Sequence, residues 1–276
     1  MATWKLMEPP VPSALRRDVS HVRVFQVSGP QPYTVKVAPI AVPGLVFHQR
    51  GQGPAIRSIV TPQRTTTRLP LAFLYGAGTT PSTMAFFGGP HLTVQIIFKP
   101  YGLRSLLGLD ARPLRNGVLS LGDLPGAPPL TQLLAAGPRA KAMLLLRYLE
   151  RRAEGSVTHD RVVAQALDLI ERHIATLRLP QLLEDLGFSE RQLERRFKRS
   201  VGVSPKTYLR VRRFNEAVRL MKTGSYPTLT DVAHALNFSD QSHFIRDLKA
   251  FTRITPRDIF QRVSQFHEQG GFSYEA

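Results

Sequence analysis

Nine residues between positions 189 and 213 are arginine or lysine (191, 195, 196, 198, 199, 206, 210, 212 and 213), against two acids, Glu190 and Glu194. A guanidinium forks two donors onto a phosphate or the edge of guanine, glutamine pairs with adenine, and glutamate accepts from the cytosine amino group. Spacing sorts the cluster. Leu193 and Phe197 stand four apart, as the buried stripe of a helix requires, with Phe188 beneath them. Arg191, Gln192, Glu194, Arg195, Lys198 and Arg199 cover the remaining surface. A second segment offers Gln241, Ser242, His243, Arg246 and Lys249 around the apolar pair Phe244 and Leu248. A charged helical face alone is more often simply solvated, so the weight falls on the elements that position these two.

Those elements repeat. Leu186-Gly187-Phe188-Ser189-Glu190 returns fifty residues later as Leu236-Asn237-Phe238-Ser239-Asp240. Phe197-Lys198 then matches Leu248-Lys249, and Val203-Ser204-Pro205 matches Ile254-Thr255-Pro256, fifty-one apart, so one residue is inserted near Ser242. In the first copy Pro180 sits early in a helix through Leu182, Leu183 and Leu186, and Gly187 stops it. Ser189 and Gln192 form a capping box for the next helix. In the second, Thr228 and Asp231 form the box, Val232, Ala233 and Leu236 the buried stripe, and Asn237 supplies the left-handed turn before Ser239. A link of about three residues in both copies forces a steep crossing, the geometry of a helix-turn-helix.

Between the copies Ser204 caps and Pro205 opens a helix with Tyr208, Val211, Phe214, Val218 and Met221 on one side. Its roughly 18 residues span about 27 Å. Two recognition helices on such a connector could enter successive major grooves about 34 Å apart on one duplex face. Arg210, Arg212 and Arg213 on the connector are expected to face phosphate in part or to form salt bridges.

The bulk numbers agree. A chain of 276 residues, 42% hydrophobic, suits two domains and a buried core, and 22 Pro with 20 Gly argue for many turns. With 0 Cys, disulfide scaffolds, thiol nucleophiles and thiolate metal sites are excluded. The net charge of +17 favours a polyanionic partner. Residues 1–155 hold 18 basic and 6 acidic groups and residues 156–276 hold 19 and 14, so net charge does not single out the second half, while local clustering does. No apolar stretch follows a basic start, and no run approaches the roughly 20 residues of a bilayer span, so a cytoplasmic chain without a membrane segment is expected.

Before residue 130 the pattern is of strands. Val, Ile, Phe and Thr alternate at 22–27, 33–37, 45–49, 55–60, 69–75, 83–87 and 92–98, with Gly and Pro between them and a short helix at 103–107. From Pro138 the period is helical, and a polar stretch around Gly155 reads as a hinge. The expected class is α+β: a mostly antiparallel β domain at 1–130, a helical linker and hinge at 131–158, an all-α domain at 159–263 with two helix-turn-helix subdomains on a connector helix, and a tail at 264–276.

Residues from about 160 to 260 resemble the double helix-turn-helix domain of the AraC/XylS family of bacterial transcription regulators. The likeness is carried by Gly187-Phe188-Ser189, Leu193, Phe197-Lys198, Gly202-Val203-Ser204-Pro205, Tyr208, Asp231-Val232-Ala233, Phe238-Ser239-Asp240-Gln241-Ser242-His243-Phe244 and Ile254-Thr255-Pro256. Asn237 and Arg253 stand where glycine is usual and Leu248 where phenylalanine is. The resemblance implies base reading by Arg191, Gln192, Glu194, Arg195, Gln241, Ser242, His243 and Arg246. Phosphate contacts would come from Ser189, Lys198, Arg199, Arg210, Thr228, Ser239 and Lys249. A double-stranded DNA operator is the implied partner, and RNA polymerase, a small-molecule effector and a second copy of the chain are compatible ones. The first half resembles, more faintly, the N-terminal domain of a subset of these regulators, through residues 93–126 with Phe98-Lys99-Pro100-Tyr101-Gly102 and Leu119-Ser120-Leu121-Gly122-Asp123. Such domains bind effectors or form dimers. Phe47, Phe73, Phe86, Phe87 and Phe98 are core residues before they are ligand walls.

Two other classes compete. A small β barrel could gather His21, His48 and His91 around a metal as an enzyme fused to a helical domain, but no carboxylate accompanies them at a recognisable spacing. His159, His173 and His234 stand in no better pattern, and Gly76-Ala77-Gly78 lacks the rest of a phosphate loop. Neither catalysis, a metal nor a cofactor is therefore expected. A non-specific nucleic-acid binder would hold unrelated duplexes equally, whereas a regulator favours its operator by about 4 kcal/mol or more.

Overall fold

Period-two alternation builds the first half. The computed structural model describes residues 3–155, 160–223, 226, 228–238, 241–253 and 273–275. Its strands are β1 (Thr3–Met7), β2 (Val19–Ser28), β3 (Tyr33–Val37), β4 (Gly44–Gln49), β5 (Ile56–Val60), β6 (Thr65–Thr66), β7 (Ala72–Tyr75), β8 (Ser82–Phe86), β9 (His91–Phe98), β10 (Val118–Ser120) and β11 (Ser273–Glu275). One antiparallel sheet runs in the order β1-β2-β9-β4-β7-β10 and the other β11-β3-β8-β5-β6. Val22, Val24, Leu45, Phe47, Val94, Ile96 and Phe98 alternate onto one side of the first sheet and are buried.

Helices cover that side. Leu103 and Leu106 of α1 (Gly102–Leu107), Leu133 of α2 (Leu130–Ala135), and Ala142, Leu145, Leu146 and Leu149 of α3 (Pro138–Glu154) join the same core. The segment expected as a linker thus carries a helix packed into the β half, and residues 156–158 of the expected hinge lie outside the described residues. Phe47, Phe73, Phe86 and Phe98 are buried, and Phe87 is half-buried with the Arg50 guanidinium 5.0 Å from its ring centre.

The strands expected at 33–37, 45–49 and 92–98 match β3, β4 and β9 to within a residue at each end. The edge strand β1 was not expected, because Trp4 and Leu6 stay 45% and 44% exposed and prolines follow at once.

The second half is helical: α4 (Arg161–Arg172), α5 (Leu179–Leu186), α6 (Glu190–Val201), α7 (Pro205–Thr223), α8 (Leu229–Ala235) and α9 (Gln241–Thr252). Their core comprises Val163 and Ile170 of α4, Leu182 of α5, Leu193 and Phe197 of α6, Tyr208, Val211, Phe214 and Val218 of α7, Val232 of α8, and Phe244 and Leu248 of α9. Ala38, Ala41 and Ala77 of the β half belong to this cluster too, so the halves share a packed junction. There α1 meets α6, and the Ala111 N–H donates to the Arg199 carbonyl at 3.0 Å.

Candidate nucleic-acid interface

Two left-handed stops and two capping boxes frame the two helix-turn-helix units. Helix α5 ends at Gly187 (φ 67°), where Gly187 N–H donates to Glu184 O and Phe188 N–H to Leu183 O. Helix α8 ends with Asn237 (φ 50°), whose N–H donates to His234 O, while Phe238 N–H donates to Ala233 O. The two terminations are the same structure fifty residues apart. The capping box of Ser189 and Gln192 opens α6, and that of Thr228 and Asp231 opens α8. The first link is residues 187–189, as expected. In the second copy α8 stops at Ala235, one residue before the position matching Leu186, because Leu236 has already left helical geometry (φ −101°, ψ 13°), and residues 239 and 240 lie outside the described residues.

On α6 the core side is Leu193, Phe197 and Val201, each 0% exposed, with the Phe197 ring edge-on to Tyr208 at 5.7 Å. Arg191, Arg195 and Arg199 stand four apart on the exposed side, one stripe along the helix. Gln192 is exposed, but its Oε1 accepts from Ser189 N–H at 3.1 Å and Ser189 Oγ at 2.9 Å, so the cap holds its acceptor. Glu194 and Lys198 pair with each other at 2.9 Å. Arg196, counted in the basic cluster but given no base or phosphate role, pairs with Asp160 at 3.1 Å and lies 5.6 Å from the Phe188 ring centre, tying α6 to the cap of α4.

The connector arginines are committed inside the helical half. Arg210 donates to Asp247 Oδ1 at 2.9 and 2.6 Å and lies 4.9 Å from the Phe251 ring centre, clamping α7 to α9. Arg212 pairs with Glu171 at 2.6 Å, and Tyr208 Oη donates to the same carboxylate at 2.9 Å. Burial, then the Glu171 charge, pushes the Tyr208 hydroxyl well above its ordinary range. Arg213 donates to the Ile174 and Leu177 carbonyls that follow α4. The expectation of salt bridges describes Arg210 and Arg212.

On α9, Arg246 and Lys249 are exposed three residues apart, and Phe244 and Leu248 are buried. Gln241, Ser242 and His243 begin this helix, but their side chains lie outside the described residues, as does Ser239. Thr228 is exposed at its cap.

The competing metal site does not assemble. His48 Nδ1 accepts from Ala55 N–H at 3.1 Å and Ile56 N–H at 3.0 Å, and its Nε2 bonds Pro70 O at 3.0 Å, so both ring nitrogens are taken. Burial lowers its pKa to about 4. His91 bonds Tyr33 Oη at 2.8 Å and Gly89 O at 3.1 Å. Among the described residues no group of three or more His, Cys, Asp or Glu could hold a metal ion. Among them, too, no helix is long and apolar enough to cross a membrane.

A family model described as a helix-turn-helix domain matches residues 182–262, and a domain of unknown function, DUF6597, matches residues 8–120. An uncharacterized HTH-type transcriptional regulator of Staphylococcus aureus (strain MSSA476) is 35% identical over 118 residues, 42% of this chain and 16% of that protein. The HTH-type transcriptional activator RhaS of Salmonella schwarzengrund (strain CVM19633) is 28% identical over 162 residues, 58% of this chain and 53% of that protein. The chain thus spans about a sixth of the staphylococcal relative and about half of RhaS. The crystal structure of ToxT from Vibrio cholerae O395 superposes with TM-score 0.48 and 14% identity, over 90% of this chain and 100% of that one. That likeness is too loose to carry the fold, which rests on the strand pairing and helix packing above. Both named sequence relatives are HTH-type transcriptional regulators.

Proposed function

We propose, from its likeness to helix-turn-helix transcriptional regulators, that this chain is a sequence-specific duplex-DNA-binding regulator of the AraC/XylS type rather than an enzyme. Its α6 and α9 enter adjacent major grooves. The observation that carries this reading is the tandem of two helix-turn-helix units with identical left-handed terminations, joined by α7.

In this reading Arg191 and Arg195 are the main base readers of the first groove, with Glu194 and the free amide of Gln192 beside them. Gln241, Ser242, His243 and Arg246 read the second. Lys198, Arg199 and Lys249 hold phosphates, and Ser189, Thr228 and Ser239 present helix starts to the backbone. Arg210 serves as the strut to Asp247 rather than as a phosphate contact.

The β half, with α2 and α3, forms an N-terminal regulatory unit that takes a small-molecule effector or a second copy of the chain. Its support is the core that the first sheet forms with α1, α2 and α3, joined to α6 at the Ala111–Arg199 contact. The protein works in the cytoplasm, where operator DNA and RNA polymerase are met.

Selection from a random duplex pool tests the reading. Enrichment of two blocks about 10 base pairs apart, centre to centre, is expected. A folded chain that enriches no sequence contradicts it.

A further inference from the structure

Resting on the DNA-binding reading above, we infer that residues 110–115 of the β half, through Arg115, are a backbone-phosphate contact on the same duplex that α6 enters. The exposed stripe Arg191, Arg195 and Arg199 advances about 6 Å per step, so it is roughly 12 Å long. Where the stripe ends, the β half begins. The Ala111 N–H donates to the Arg199 carbonyl at 3.0 Å, and a Cβ on Gly202 would come within 2.8 Å of the Ala111 carbonyl oxygen. Residues 110–115 are therefore held in fixed register against the last turn of the reading helix.

Charge at this junction is unbalanced. Asp110 is the acid of this segment, and Arg112 occupies it, with Nε 3.0 Å from both carboxylate oxygens and Nη2 2.5 Å from Oδ2. Arg115 and Arg199 are exposed and make no ion pair among the described residues. Arg64 adds a third exposed cation, with Nη2 3.6 Å from where a Cβ on Gly117 would stand. Of the other acids in residues 1–130, Glu8 pairs with Arg23 at 3.0 Å and Asp18 accepts from Ser105 Oγ at 2.6 Å, while Asp123 is exposed. An effector site inside the sheets makes no use of a surface arginine excess. A duplex does, because its backbone offers a negative charge about every 3.4 Å along each strand. Continuity with the stripe of α6 makes that duplex the partner, ahead of an acidic protein.

The test is fluorescence anisotropy of the full chain on its selected operator, with natural flanks and trimmed to the bases under the two helices. Arg115→Ala should lower the salt exponent of binding by about 0.9 on the flanked duplex. Its affinity deficit should then shrink by about threefold between roughly 50 and 200 mM salt, equally on specific and unrelated sequences, and vanish on the trimmed duplex. An unchanged exponent on the flanked duplex overturns the inference and leaves the surface to an acidic protein. If the folded wild-type chain binds no duplex at all, the DNA-binding reading itself fails, a different result from an unchanged exponent in a chain that binds.

Discussion

Gly202 and Arg253 close the two reading helices in the same way, fifty-one residues apart. Each has a left-handed backbone, φ 90° and 58°, and each N–H bonds the carbonyl four residues back, in Lys198 and Lys249. Glycine adopts that conformation freely, whereas a side chain with a Cβ is strained there by about 1 to 2 kcal/mol. Arg253→Gly should therefore stabilise the folded chain by about 1 kcal/mol, after subtracting the extra freedom of unfolded glycine. Gly202→Ala should destabilise it, since the added Cβ would press on the Ala111 carbonyl. Urea unfolding of both variants checks this, and like signs would contradict it.

Removing Arg210 separates a strut from a phosphate contact. Asp247 is 5% exposed and its Oδ2 has no hydrogen-bond partner among the described residues, so Arg210→Ala strands a buried carboxylate. Arg210 is itself half exposed, which reduces the effect to about 2 kcal/mol of stability. Well below the melting temperature, the salt exponent of DNA binding should not change. A stable variant with a lower exponent would make Arg210 a phosphate ligand instead.

Arg195 and Lys198 should fail differently. Arg195 is exposed and makes no ion pair among the described residues, and Arg195→Ala should cost roughly 1 to 3 kcal/mol on the preferred site and relax one or two bases. Lys198 already holds Glu194, so Lys198→Ala should weaken all duplexes alike, by a smaller factor. Equal losses on every duplex for both variants would contradict the division.

His48 gives stability a pH dependence. The unfolded imidazole takes a proton near 6.5, but the buried ring takes one only near 4. Between those values the unfolded chain binds more protons, so stability falls as pH falls. The contribution is full above pH 6.5, amounts to about 3 kcal/mol, and is lost progressively down to about pH 4. Urea unfolding at pH 7.5 and pH 5 should show this slope in the wild type and a slope smaller by one proton in His48→Asn. Identical slopes would contradict it.

The reading helices were legible because their signals are local. Ser189 with Gln192, Thr228 with Asp231, and Gly187 and Asn237 all act within a few residues. The strands were legible for the same reason wherever one face is buried, and β1 was missed because its apolar side chains stay exposed. What could not be read were partners distant in sequence. Asp160 for Arg196, Asp247 for Arg210 and Glu171 for Arg212 lie 36, 37 and 41 residues away, and a charge pattern does not say which acid a cation meets. The helix expected from Pro138 is α3, and the same limit hid only the sheet that its stripe covers, together with the Ala111–Arg199 junction.

In the proposed mode of binding, α7 carries α6 and α9 at a fixed separation as the two base-reading helices. Its 19 residues are about 28 Å long, suited to one turn of duplex. The direct test is the affinity of the full chain for its selected operator against versions with either half scrambled and with five base pairs inserted between the halves. The insertion turns one half to the opposite face and should cost as much as scrambling the half read by α9. Scrambling the half read by α6 should cost at least about 1 kcal/mol more, since that helix carries the arginine stripe. An affinity indifferent to the insertion, or to scrambling either half, would contradict two helices reading adjacent grooves.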